Sequence, residues 1–201
     1  MSVQVIGDHK VTNGSIESPE IDAMLAGEQV DILYSDPPWG DGNLKYWATM
    51  NKKMTGQEVA PISYDALLAR IRGLVETYVR GHVFIETGLR WEDSIVEEMS
   101  GYLSGVRAYH LEYKSGSRTL TNVLVHGTNA ECAPFTIDPT GGSGYANVKR
   151  VVENVAVPGG IILDPCCGMG YTAQAAVDTG MRFRGNELNA KRLAKTIKRL
   201  S

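Results

Sequence analysis

Cysteine, long apolar runs and a surplus of charge of either sign are scarce in this sequence. Only three of its 201 residues are cysteine. They are Cys132, Cys166 and Cys167, an odd number with one adjacent pair, and adjacent cysteines rarely reach good disulfide geometry; a disulfide scaffold is excluded and reduced thiols are expected. Nothing near them supplies a third and fourth ligand at zinc-like spacing, so buried packing is the reading for Cys166 and Cys167 and no metal is expected. No apolar stretch approaches the roughly 20 residues that span a bilayer, which argues against a membrane partner. Met1 to Lys10 lacks the basic start, apolar stretch and small-residue cleavage site of an export signal, so a cytoplasmic chain is expected. Internal repeats and low-complexity segments are absent too. Lys and Arg total 20 against 23 Asp and Glu, a net charge of −3, so any surface built for a polyanion has to be local. Lys45, Lys52 and Lys53 form one such cluster. Lys191, Arg192, Lys195, Lys198 and Arg199 form another, which also reads as the solvated face of an ordinary terminal helix.

What is present is globular: 43% hydrophobic and 21% charged residues leave no disordered tail, and the length suits one domain over residues 1–201. Val3 to Ile6 and Val30 to Ser35 are short apolar runs stopped by turn residues, and read as buried strands. From Tyr64 to Val79 apolar residues recur at helical spacing, with Arg70, Arg72 and Glu76 opposite. His82 to Thr87 reads as a strand, Trp91 to Met99 as a helix, and Val106 to Lys114 with Leu120 to His126 as a hairpin joined at Ser115-Gly116-Ser117. After a loop at Thr136 to Gly144 come a helix (Ala146 to Ala156), a strand (Gly160 to Leu163), a helix (Thr172 to Asp178), a strand (Met181 to Gly185) and a helix (Asn189 to Leu200). Such alternation implies an α/β fold, a mostly parallel sheet with helices on both faces. Ligands then belong at the carboxyl ends of its strands.

Two of those ends carry chemistry. In Asp164-Pro165-Cys166-Cys167-Gly168-Met169-Gly170 an acid ends an apolar strand and two glycines precede a helix. Gly168 and Gly170 let backbone approach a ligand, and Asp164 offers a carboxylate to an ammonium or hydroxyl. Roughly 20 residues beyond the glycines, the next strand ends at Asn186-Glu187, where an acid in sheets of this kind accepts ribose hydroxyls. Asn189 then opens the last helix. A dinucleotide site is disfavoured, because the third glycine of Gly-x-Gly-x-x-Gly falls at Ala173. A plain tight turn would leave the same glycine pattern.

The other end is Asp36-Pro37-Pro38-Trp39. Proline fixes its own φ and forces the preceding residue to be extended, so the pair holds nearby carbonyls in a set direction. An aromatic amine is a poor nucleophile whose lone pair is spread into its ring, yet it carries two N–H donors. If Asp36 and the Pro37 carbonyl accept both, the nitrogen is drawn toward tetrahedral geometry and its lone pair can face an electrophilic methyl. Trp39 offers a flat face to the ring. The plainer reading is a strand-ending turn with Trp39 in the core.

Together these residues resemble the amino-methyltransferases that modify adenine N6 or cytosine N4. The order, with Asp36 to Trp39 before Asp164 to Gly170, resembles the permuted β class. The resemblance covers nearly the whole chain and implies a Rossmann-like sheet with one antiparallel strand, S-adenosyl-L-methionine as cofactor, and DNA as substrate through a flipped base. It implies catalytic roles for Asp36, Pro37, Pro38 and Trp39, and cofactor contacts from Asp164, Pro165, Cys166, Gly168, Gly170, Glu187 and Asn189. Gly7-Asp8 looks like the acidic turn that the family places by the cofactor's adenine. Asp rather than Ser at position 36 favours adenine N6. In the cofactor loop the chain departs from the family: Cys166, Met169 and Tyr171 stand where Phe, Ser and Thr are usual. The large inserted recognition domain of sequence-reading members is also absent. Residues 40–61 are expected to be a mobile loop that carries Lys45, Tyr46 and Trp47 to the substrate, with Trp39 beside them. RNA adenine, cytosine N4 or a protein amide remain open as acceptors, as does a silent nucleic-acid-binding subunit; monomer and homodimer are equally open.

Overall fold

The computed structural model describes residues 3–115, 117–129 and 144–201. Cys132, most of the expected loop from Thr136 to Gly144, and Gly116 of the hairpin turn lie outside them.

An edge hairpin opens the chain: β1 (Gln4–Ile6) runs against β2 (His9–Asn13). Then follow α1 (Pro19–Leu25), β3 (Val30–Ser35), α2 (Gly40–Thr55), α3 (Tyr64–Tyr78) and β4 (Val79–Gly88). A short 3-10 turn leads into α4 (Glu92–Ser100), and the long strands β5 (Ser104–Ser115) and β6 (Arg118–Thr128) complete the middle of the chain. The last part is α5 (Tyr145–Val155), β7 (Ile161–Asp164), α6 (Tyr171–Asp178), β8 (Arg182–Glu187) and α7 (Ala190–Leu200).

Eight strands make one sheet in the order β1-β2-β8-β7-β3-β4-β6-β5. From β2 to β4 all neighbours are parallel, and β6 runs against both β4 and β5. The expected α/β sheet with one reversed inner strand is therefore present, and β1 adds a second reversed strand at the edge. Central strands are apolar on both faces because helices cover both. Leu33 of β3 packs with Ile21, Leu67, Ile71 and Ile95 from α1, α3 and α4. Its neighbours Ile32 and Tyr34 pack with Val148, Val151, Ala175 and Leu193 from α5, α6 and α7.

Residues 40–61 depart from the expected loop, since Gly40–Thr55 is helical. Its glycines sit at the ends: Gly40 and Gly42 in the first turn, and Gly56 at φ 76° as a left-handed cap whose N–H donates to the Lys52 carbonyl. Between them Leu44, Trp47, Ala48 and Asn51 recur at helical spacing and all line one cleft, which is the periodicity that ties a helix to its support. The helix lies across the carboxyl ends of the strands, in contact with α3 and α7. No described helix is long and apolar enough to cross a membrane.

Candidate active site

A cleft of about 360 Å³ opens at the carboxyl ends of β2, β8, β7 and β3. Its walls are the turn Asp36 to Trp39 after β3, the inner side of α2, Val59 to Ile62 with Leu67, Pro165 and Cys166 after β7, Asn186 to Asn189 at the end of β8 with Arg192, and Gly14 to Ile16 after β2. The turn after β3 is rigid. Trp39 Nε1 donates to Asp36 Oδ1 across 3.2 Å, so ring and carboxylate hold one another in place. Asp36 lines the cleft and is exposed to the solvent in it. The protein packed around its carboxyl weakens its solvation and raises it to about 6, against the pull of the Trp39 bond and the Arg192 charge.

The loop after β7 is built on two carboxylates. Asp164, only 4% exposed, faces inward: its Oδ1 accepts from Cys166 N at 3.1 Å and Ser35 Oγ at 3.3 Å, and its Oδ2 from Thr172 Oγ1 at 2.7 Å. It shapes the turn and does not line the cleft. Burial lifts it to about 7. Glu187 does line the cleft. Its two oxygens accept Gly168 N and Asn189 N, each at 2.8 Å, and each keeps a lone pair for a further donor. Burial raises its proton affinity while Arg192 opposes the rise. Gly170 has φ +80°, and a Cβ there would stand 2.8 Å from Thr196 Cα, so the loop lies flat on α7 because this residue lacks a side chain. Neither Gly168 nor Gly170 touches the cleft itself; both form the turn beneath it.

Asn189 caps α7, its Oδ1 accepting from Lys191 N and Arg192 N, while its Nδ2 donates to Asn51 Oδ1 of α2 at 3.1 Å. Arg192 lies over the Trp47 ring at 4.2 Å, a cation–π pair that closes the same side. Lys45 and Trp47 are in the wall. Tyr46 is not: it is 54% exposed and meets Trp47 edge-on from outside.

Asp8 is the residue that the structure moves furthest from its expected place. It sits in the β1–β2 turn with its carbonyl accepting Arg184 Nη1 at 2.7 Å, at the amino end of β2 and so at the end of the strands opposite the cleft. The strand before it was expected to end at the ligand, but that strand is the reversed edge one. The carboxyl end of β2 brings Gly14, Ser15 and Ile16 to the cleft instead. Sequence reading also missed Asn51 and Arg192. The helical spacing from Leu44 would have found the first; the second follows from its place in the first turn after Glu187. A third omission is Glu86 of β4, which accepts from Tyr34 Oη at 2.6 Å and Asn122 Nδ2 at 2.5 Å beside Asp36. Among the described residues no group of three or more His, Cys, Asp or Glu could hold a metal ion.

No family profile and no curated relative matches the sequence. Solved structures do match. The complex of M1.HpyAVI with S-adenosyl-L-methionine aligns over 95% of this chain and 98% of its own, with TM-score 0.67 and 16% identity. TTHA0409 of Thermus thermophilus, which carries the name of a DNA modification methylase and was also crystallised with that cofactor, aligns over 96% and 93%, with TM-score 0.62 and 16% identity. The cytosine-N4-specific PvuII DNA methyltransferase aligns over 95% and 86%, with TM-score 0.65 and 9% identity. At such identities the likeness is one of fold, and the chain has the Rossmann-like methyltransferase fold.

Proposed function

We propose that this chain is an S-adenosyl-L-methionine-dependent DNA methyltransferase that transfers a methyl group to N6 of a flipped adenine. The observation that carries the reading is the shared cleft: the Asp36 corner and the Glu187 end of β8 open onto one volume. A cleft of about 360 Å³ is in the range of small-molecule sites. Its residues suit the cofactor: Glu187 has free lone pairs for ribose hydroxyls, and Ile16 and Leu188 are apolar flanks for a purine. When bound, that cofactor supplies an electrophilic methyl carbon. Both cofactor-bearing neighbours in fold agree with this choice.

The chain's own residues handle the amine. Asp36 accepts one hydrogen and the Pro37 carbonyl the other, which turns the nitrogen lone pair out of the ring. Trp39, fixed by its bond to Asp36, offers the base a face. Arg192 and Trp39 keep Asp36 ionised at neutral pH, so it can take the proton that the methylated nitrogen sheds. The α2 helix, resting on α7 through Asn51 and Trp47, is the element that moves aside to admit the base. Adenine is preferred over cytosine on the resemblance noted for Asp36; one neighbour in fold is named for cytosine N4, so the acceptor rests on that residue.

The test is incubation with methyl-labelled cofactor and separate DNA, RNA and protein pools, followed by nucleoside mass spectrometry. N6-methyladenine in DNA is the expected product. Label in RNA, in protein or on cytosine overturns the acceptor, and cofactor binding with no label anywhere overturns the enzyme in favour of a binding subunit.

A further inference from the structure

Glu86 is a charged residue in an unusual setting. In the β3–β4 register Ser35 stands opposite Ile85, so Asp36 and Glu86 are the next residues of adjacent parallel strands, about 4.8 Å apart in strand spacing. Tyr34, two residues before Asp36, and Phe84, two before Glu86, are ring neighbours at 5.8 Å, which puts both carboxyls above the same sheet face. Tyr34 Oη lies 2.6 Å from one Glu86 oxygen and Asn122 Nδ2 of β6 donates to the other at 2.5 Å; the Tyr34 contact reverses when Glu86 is protonated, its O–H then donating to the phenol oxygen. Both partners are neutral, and among the described residues no basic side chain forms an ion pair with Glu86. Asp36 by contrast has the Trp39 N–H and the charge of Arg192. Two carboxylates so placed do not both ionise near neutral pH, and the proton settles on the member without a cation.

We propose, resting on the reading above, that Glu86 is a positioning residue of the transfer: it carries the one proton that the Asp36–Glu86 pair retains at neutral pH, and so leaves Asp36 an anionic acceptor for the amine. The groups facing Glu86 are Tyr34 from β3, Asp36 from the turn after it, Asp164 from β7 and Asn122 from β6. Burial and the two aspartates push Glu86 up to about 8, against the pull of its Tyr34 and Asn122 bonds and above Asp36 at about 6. A charged Glu86 would raise the proton affinity of Asp36 in turn, and a protonated Asp36 cannot accept an amine hydrogen. In the balanced step the methylated nitrogen loses one proton, its N–H electron pair returns to nitrogen, and the proton ends on an Asp36 oxygen.

Carbon-detected NMR of the side-chain carboxyls tests this without turnover. In the wild type Glu86 should titrate near pH 8 and Asp36 near pH 6. In Glu86→Gln, which mimics the protonated acid, Asp36 should move by less than half a pH unit. Titration of wild-type Glu86 near the ordinary carboxylate value of about 4.3 overturns the proposal, as does a fall of one unit or more at Asp36 in Glu86→Gln. Should that variant fail to fold, the wild-type titration alone decides. The rate profile of wild-type methyl transfer should fall with an ionisation near pH 8, and that limb should be absent from Glu86→Gln; a variant profile that keeps the limb overturns the proposal. A wild type that transfers no methyl fails the functional reading, and the titration is read separately from that result.

Discussion

Asn51 and Asn189 meet across the cleft, the Nδ2 of Asn189 lying 3.1 Å from the Oδ1 of Asn51. One residue belongs to α2 and the other caps α7, so this bond joins two walls of the cleft. Both are buried, at 2% and 4% exposure, and Asn51 also reaches the Gln57 carbonyl from its Nδ2 at 3.1 Å.

Asn51→Ala therefore removes the latch and leaves the Asn189 amide short of a partner, a loss of about 1–3 kcal/mol for a buried group. Amide exchange in α2 should speed up, and cofactor affinity should fall by roughly 5- to 10-fold, as read by hydrogen exchange and calorimetry. Unchanged exchange in α2 would mean that the bond does not hold the helix.

Asp36→Asn keeps the shape of the acceptor but cannot take a proton. Transfer should drop by at least about 10²-fold, with cofactor binding within about threefold of wild type. In the wild type the ionised form is the active one, so kcat/KM should rise with pH through about 6 and hold until Glu86 ionises near 8. A variant with wild-type turnover, or a wild-type profile flat from pH 5 to 8, contradicts the role given to Asp36.

Gly170→Ala and Gly27→Ala form a matched pair. Both glycines have positive φ, +80° and +75°, but a Cβ on Gly170 would stand 2.8 Å from Thr196 Cα while one on Gly27 meets nothing within 4 Å. Each variant bears a backbone cost of order 1 kcal/mol, and Gly170→Ala should lose about 1–3 kcal/mol more through overpacking. Urea unfolding of the two measures the difference directly; equal losses would remove the packing argument.

Glu28→Gln tests the ion pair behind β8. Arg184, only 2% exposed, directs Nε and Nη2 to the two Glu28 oxygens at 2.6 Å each, and Lys10 joins at 3.1 Å. Those bonds hold the Glu28 carboxyl down at about 2. A depressed carboxyl contributes stability above its ordinary value of about 4.5, which is lost as pH falls toward 2. At pH 7 the variant should be less stable by about 3–5 kcal/mol, since it leaves a buried guanidinium half-paired, and the gap should narrow as pH falls from 4.5. A gap that does not change with pH would show that the charge of Glu28 is not what matters.

Much of this site is legible without coordinates. The β3 strand matches its sequence expectation residue for residue, because an apolar run ended by Asp-Pro-Pro has no competing pattern. The turn after β7 and the acid at Glu187 stand at strand ends as expected, and these do meet the Asp36 corner. The errors have physical causes. Asp8 reads as part of a ligand-bearing end because a run such as Val3 to Ile6 does not reveal strand direction. Residues 40–61 read as a loop because glycines at helix termini and glycines in a flexible segment look alike in composition. Asp164 reads as a ligand group, but its oxygens are spent on Cys166, Ser35 and Thr172.

By itself, then, the sequence determined local matters: where strands stop, which turns are stiff, and which acids and aromatics stand at those stops. These follow from side-chain periodicity and from the dihedral limits of proline and glycine, which act over a few residues. Only the tertiary structure decided which strand ends face one cleft and what charge each acid carries there. Glu86 gains its donors from Tyr34 and Asn122, 52 and 36 positions away, and Asn51 meets Asn189 over 138. Proton affinity and strand direction depend on such distant neighbours and on the water they exclude, and nothing within a few residues of either position encodes them.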